Sequence, residues 1–441
     1  MAVAGLVGCG SVKDAGFADA APIGDAGPDA DETGNATVVT QAALFGGMVG
    51  VEVGAVDIVS MTAANTVLEA KQTDASGNAT IKVAPGGTVT AIYKHTTDQG
   101  ADLITWVGVK PGDTLKFGNR NPTFAGMNTQ LGSQTYAWPA QGGVTSYFAA
   151  TSCSFSSFGN ALSGVMNEAS FCHREPMDVL YLATTNNILT HYNFRQNVAF
   201  TNGGTVSINS WAAAVNATVN ITGMPPEVTN LSGRFAVVMD NATTERAVAG
   251  GGSFTGAPSG GAFTGNFSWS PTGERTVASL TLNRSLGNFF QMRVLDSLPA
   301  SATSWTVASA QLPPWLERTF LSSTSQKLAS WVLVPDAGSA HDAVMLGVQW
   351  WFEVAGTNHP HQWNFIMPPG TTTMVFPKLP SQFADFMPHT QDFMNLNALR
   401  AIEIPTVTNY DAIRAMPAQS MLCVECAVRA GEIQRAITSG S

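Results

Sequence analysis

Charge is what this sequence has least of. Only 12% of its 441 residues are Asp, Glu, Lys or Arg, where about a quarter is usual. Salt-bridged amphipathic helices are therefore a poor account of it, and no run of Lys and Arg supplies the footprint that a phosphate backbone needs. Nucleic acid is not an expected partner. No stretch of 18 apolar residues occurs, so the pattern of a membrane-spanning helix is missing. Cysteine is scarce, with five in all. Catalytic signatures are missing as well: there is no Gly-x-Ser-x-Gly elbow, no His-Glu-x-x-His pair, and no glycine-rich phosphate loop leading into a helix. No cofactor is expected and an enzyme is not the first reading.

Glycine, threonine, serine, asparagine and valine are plentiful instead, which suits pleated, half-exposed sheets. From Thr37 to Gly118 short apolar runs alternate with Gly, Asn and Pro turns. Val49–Val53, Val56–Met61, Ala79–Val83, Val89–Tyr93 and Ile104–Val109 read as strands at sandwich spacing. The same texture continues to the C-terminus, where a last strand is expected within Glu432–Thr438. Glycine-rich Ala249–Gly265 reads as a hairpin with its phenylalanines on one face. Helix is expected only as short turns at Glu168–Phe171, Ser381–Phe386 and Met394–Ile402. The fold class is all-β: tandem β-sandwich modules, Ig-like or transthyretin-like, behind a disordered N-terminal tether. The expected divisions are 1–36 (leader remnant and acidic tether), 37–118 (first sandwich), 119–312 (one or two sandwiches, with a boundary near 225) and 313–441 (a C-terminal β-rich module after Pro313-Pro314).

The segment Thr73-Asp74-Ala75-Ser76-Gly77-Asn78, followed by Ala79–Val83 and preceded by Gly54-Ala55-Val56, resembles the turn-and-strand pattern of carboxypeptidase regulatory-like, transthyretin-like modules. Its physical content is a tight turn in which Asp74 caps backbone amides and Gly77 takes a positive φ. The resemblance implies a non-catalytic stalk or binding domain. Near the start, Leu6-Val7-Gly8-Cys9 resembles a bacterial lipobox, which implies acylation of Cys9 and attachment to a membrane by lipid. Residues 10–36 have almost nothing to bury, and six acids against one lysine there carry half of the net charge of −10. That is the composition of a solvated spacer. Gly10 in place of Asp removes the inner-membrane retention signal, so an outer-membrane lipoprotein or extracellular address is expected.

With Cys9 acylated, Cys153, Cys172, Cys423 and Cys426 remain, an even number that in an exported chain implies disulfides with three possible connectivities. The pairs 153–172 and 423–426 are favoured. For metal, His359-Pro360-His361 would place two imidazoles on one face of an extended segment, with His341, Asp342 or His389 as a third ligand. The neighbouring Gly356-Thr357-Asn358 favours a surface hairpin loop for both histidines. Tryptophan offers the better binding surface. Trp350, Trp351 and Trp363 concentrate in the last third, and exposed rings of this kind stack on sugars or anchor protein interfaces. If Trp350-Trp351 lies on a strand, one ring is core and the other faces outward. The expected function is a non-catalytic binding, adhesion or structural role in the cell envelope, with polysaccharide or a surface protein as partner. The rival is a surface-anchored hydrolase, glycosidase or metal-dependent, whose paired carboxylates or convergent ligands sequence cannot reveal.

Overall fold

The computed structural model describes residues 32–439 except 43–52, 96–98, 120–129, 153, 170–172, 174, 225, 241–244, 274, 285–289, 309–313, 323–327, 335–340, 355–356, 390–391, 393, 405–406 and 417–432. Cys9, Cys153, Cys172, Cys423 and Cys426, the lipobox and the tether up to Asp31 lie outside the described residues. The described residues are nearly all β, in several separate sheets, so the fold is all-β as the alternation predicts. Among the described residues no helix is long and apolar enough to cross a membrane.

The first seven strands are β1 (Gly34–Ala42), β2 (Asp57–Met61), β3 (Val67–Gln72), β4 (Asn78–Val83), β5 (Gly87–Lys94), β6 (Ala101–Val109) and β7 (Thr114–Asn119). They form two layers, β4-β1-β7 over β3-β2-β5-β6, with Val38, Ile81 and Phe117 from one layer meeting Ile58, Ala91 and Trp106 from the other. The Asp74 turn has the geometry expected of it. Asp74 Oδ1 accepts from Ser76 N and Asn78 N, each at 2.9 Å. Gly77 has φ +71°, and a Cβ there would stand 2.5 Å from Thr40 O, so only glycine fits.

A second pair of layers follows. Its strands are β8 (Gln130–Ala137), β9 (Ser146–Ala150), β10 (Phe155–Ser157), β11 (Ser163–Ala169), β12 (Met177–Thr185), β13 (Ile188–Val198), β14 (Thr205–Ser207) and β15 (Ala212–Ala213). Sheet β10-β9-β12-β13-β15 packs on β11-β8-β14 around Tyr136, Trp138, Tyr147, Met166 and Tyr181. Glu168, expected in a helical turn, is instead a strand residue of β11. It is fully buried and accepts a 2.8 Å hydrogen bond from Thr151 Oγ1. The helical expectation there is corrected: β11 pairs with β8, and that ladder overrides a weak local preference.

The remaining strands are β16 (Val215–Thr222), β17 (Val228–Asp240), β18 (Glu245–Gly256), β19 (Phe263–Trp269), β20 (Arg275–Arg284), β21 (Phe290–Pro299), β22 (Ser304–Ala308), β23 (Trp315–Ser322) and β24 (Leu328–Val334). After them come β25 (Ala343–Val354), β26 (Thr357–Met367), β27 (Thr373–Val375), a 3-10 helix (Ser381–Phe386), β28 (Met394–Glu403), helix α1 (Tyr410–Arg414) and β29 (Ile433–Ser439). Met394–Ile402, expected to be helical, is β28. Its burial runs through consecutive residues, Ala398-Leu399 and Ala401-Ile402, because both of its faces are covered, and that removes the period-two signal.

One sheet of fifteen strands organises the molecule, in the order β22-β16-β19-β18-β17-β20-β21-β29-β28-β25-β26-β6-β5-β2-β3. Its eleventh and twelfth strands are joined by the parallel pairing of β26 with β6, from His361 opposite Ala101 to Ile366 opposite Trp106. The join is bolted from above. The Tyr410 hydroxyl lies 2.9 Å from Val107 O and 2.8 Å from Ile366 O, sharing its proton between the two strands. Arg414 donates to Gly108 O at 2.6 Å and pairs with Asp113 at 2.9 Å, its guanidinium stacked 5.0 Å from the Tyr410 ring. Around this join the sheet is covered on both sides. Val59, Leu103, Val348, Trp363 and Phe365 enter one core, while Ile58, Ile104, Trp106, Met345 and Ile366 enter another.

Candidate ligand-binding face

Strand β25 carries Gln349, Trp350 and Trp351 in succession, and the pleat sends neighbours to opposite sides. Trp350 is fully buried. Its ring stacks on His361 at 5.3 Å and 13°, and His361 in turn lies 6.1 Å from Phe386 of the 3-10 helix. Trp363 is also fully buried, and its Nε1 donates to Thr105 Oγ1 at 2.7 Å. Trp351, on the other face, is 38% exposed. The three tryptophans therefore divide into two core rings and one surface ring.

His359 and His361 are not on a surface loop. Both lie within β26 and are 6% and 2% exposed. Pro360 does not break the strand, because it precedes the first residue paired with β6, where a missing N–H leaves no gap in that ladder. Their suggested partners stand elsewhere. His341 Nε2 accepts from Gly370 N at 2.8 Å, with burial pushing its pKa down, and Asp342 Oδ2 accepts from Ile404 N at 2.8 Å, with burial pushing its pKa up. Both flank the far end of β25, about 25 Å along the strand from Trp350. His389 Nδ1 is 3.3 Å from Asp392 Oδ2. Among the described residues no three His, Cys, Asp or Glu side chains gather to hold a metal.

Around Trp351 the sheet changes character. On the face that holds Met345 and Ile366 near its middle, the side chains turn polar toward this end. Register places Asn395 of β28, Gln349 of β25, Gln362 of β26, Asp102 of β6 and Tyr93 of β5 opposite one another in a single row across five strands. Beside it runs the shorter row of Trp351 and Pro360. Asn395, Gln349, Gln362 and Asp102 are all partly exposed. Gln362 Nε2 donates to Asn364 Oδ1 at 3.2 Å, which fixes its amide, and Asp102 pairs with His95 at 3.3 Å. The opposite face at this end is closed: Lys94 pairs with Asp57 at 2.7 Å and stands 5.8 Å from both the Phe383 and Phe386 rings.

Sequence reasoning found Trp351 but not the amides. Gln349 is two residues from Trp351, which hinted at a shared face; Gln362, Asp102 and Asn395 reach it only through strand register.

No protein-family model matches the chain, and no curated protein matches it. Among solved structures, the Bacillus anthracis TIE protein aligns with a TM-score of 0.15 and 10% identity, over 63% of this chain and 49% of that one. The chain thus spans about half the length of that protein.

Proposed function

We propose that this chain is a lipid-anchored protein of the bacterial cell envelope with a non-catalytic binding role, and that it binds carbohydrate at the face around Trp351. One observation carries the binding role: a solvent-exposed indole at the rim of a sheet face, bordered by amide side chains and backed by a closed aromatic core. Indole supplies a flat apolar surface for a sugar ring, and amides supply paired donors and acceptors for its hydroxyls. The setting adds to this, since Trp351 is paired with Pro360 of β26 and directly follows Trp350, which is paired on both sides. The envelope address rests on Leu6-Val7-Gly8-Cys9 and the acidic spacer behind it. The Asp74–Gly77 turn and the two-layer arrangement of β1–β7 favour a carboxypeptidase regulatory-like module at the base of the body.

Two experiments test this reading. Full-length chain screened against a glycan and cell-wall array retains a defined set of glycans, and Trp351→Ala loses them while keeping the parent melting temperature; retention unchanged in the variant would falsify the binding face. Cells expressing the chain with labelled palmitate incorporate label, and Cys9→Ala abolishes it; equal labelling of the two removes the anchor.

A further inference from the structure

The row beside Trp351 is longer than one sugar ring needs. From Asn395 to Tyr93 it crosses four inter-strand gaps, about 19 Å at the usual strand spacing. It has a defined far end, where the Tyr93 hydroxyl donates to Gln41 O of β1. Its near end depends on an irregularity. Gly347 faces Ala398 but Val348 faces Leu396, so Asn397 is an extra residue in β28. Without that bulge, alternation from Ala398 would turn Asn395 to the buried aromatic face. With it, Leu396 packs into the core and Asn395 joins Gln349.

The chemistry along the row is uniform. Asn395, Gln349 and Gln362 each offer a donor and an acceptor, as a hydroxyl does. Among the described side chains, the titratable groups that face this surface are Asp102, His95 and the buried Tyr93, and the first two pair with each other. No Lys or Arg stands in either row. An acidic polymer would find no Lys or Arg there, whereas an uncharged one would meet hydrogen-bonding partners on four successive strands, from Asn395 to Asp102.

We infer that the row holds a linear, uncharged glycan lying across the strands, with Trp351 against one sugar ring, the three amides on successive hydroxyls and Asp102 as the acceptor at the far end. This rests on the reading of the Trp351 face as a carbohydrate site. Three properties follow: neutral glycans are chosen over acidic ones, affinity grows with chain length until the row is filled, and each amide contributes to specificity.

The test is calorimetry and array binding with the full chain, using neutral oligomers of glucose, xylose, mannose and N-acetylglucosamine from one to six units, and oligogalacturonate as the acidic comparison. At least one neutral series binds, with affinity rising from one unit to three or four and then levelling. Gln362→Ala and Gln349→Ala each weaken it about tenfold, and Trp351→Ala weakens it by more than about thirtyfold. Gln362→Glu, which keeps the size and adds a charge, also weakens it. Preference for oligogalacturonate, or binding by none of the neutral series, overturns the inference. If Trp351→Ala abolishes binding while the glutamine variants stay within twofold and length has no effect, the cross-strand track fails and the Trp351 site stands. If Trp351→Ala binds like the parent, the underlying reading fails as well.

Discussion

The two halves of the fifteen-stranded sheet solve the same problem differently. In the half made of β28, β25, β26, β6, β5 and β2, both faces are covered. All five residues of β2 are buried, and so is β5 from Gly87 to Tyr93. In the half made of β22, β16, β19, β18, β17 and β20, one face is covered along its length, and the other is covered only around Ala236, Val238 and Val277. There Val219, Phe267, Phe254, Leu231, Leu280 and Trp305 point inward. The outward side carries Thr306, Asn220, Thr264, Asn266, Thr255, Ser232 and Thr281, uncharged side chains that bond along and across strands, as Thr264 does to Asn220 at 3.0 Å. A strand inside three layers must be apolar on both sides, while a strand with one wet face must alternate. The candidate ligand face sits where the first regime gives way, at the strand ends beyond the covering layer.

The largest effect that could break this comparison is a charge placed on either side of the doubly covered half. Ala91→Asp and Ile92→Asp face opposite cores, and each should abolish the cooperative denaturation transition at 25 °C, since an unpaired buried carboxylate costs several kcal/mol. If one of them folds normally, that strand has a solvent face after all. Next comes Trp363→Ala, which removes a fully buried indole and one of the two hydrogen bonds of Thr105 Oγ1; chemical denaturation should show a loss of about 3–5 kcal/mol. Tyr410→Phe tests the bolt over the β6–β26 join and should lower stability by about 1–2 kcal/mol, with native hydrogen exchange quickening first at those two strands.

A pH effect is smaller. Burial lowers the His341 pKa from 6.5. Below 6.5 the unfolded chain therefore binds more protons than the folded one, and stability falls as pH drops toward the depressed value. Asp342, with its pKa raised by burial, contributes in the opposite sense, its share fading as pH rises through its folded value. His341→Gln should thus lose less melting temperature than the parent between pH 7.5 and 5.5. The smallest expected change is Thr306→Lys on the wet face of β22, within about 0.5 kcal/mol of the parent. A larger loss would mean that this face is covered.

What could be read from the sequence follows the same division. The singly covered strands announced themselves: Phe263–Trp269 alternates side by side, and the hairpin expected over Ala249–Gly265 has its two arms in β18 and β19, where the Phe254 and Phe263 rings stack at 5.8 Å. The doubly covered ones hid. Met394–Ile402 resembled a helix because a strand apolar on both sides has no period to detect, and His359-Pro360-His361 resembled a loop because proline seldom lies inside a central sheet. The opposed orientation of Trp350 and Trp351 needed only the pleat. The side chains that complete the candidate site, Gln362, Asp102 and Asn395, came from β26, β6 and β28, and no local pattern could place residues of such separation in one row.

The parallel join has a consequence for how the chain is made. Thr105 and Trp363, bonded across it, are 258 residues apart. At roughly 5–20 residues per second, the ribosome takes on the order of tens of seconds to deliver the second partner after the first. Throughout that interval β6 presents an unpaired border of backbone amides and carbonyls, the kind of surface on which stray strands assemble. The border of the first module is completed only when β26, from the last third of the molecule, pairs with β6.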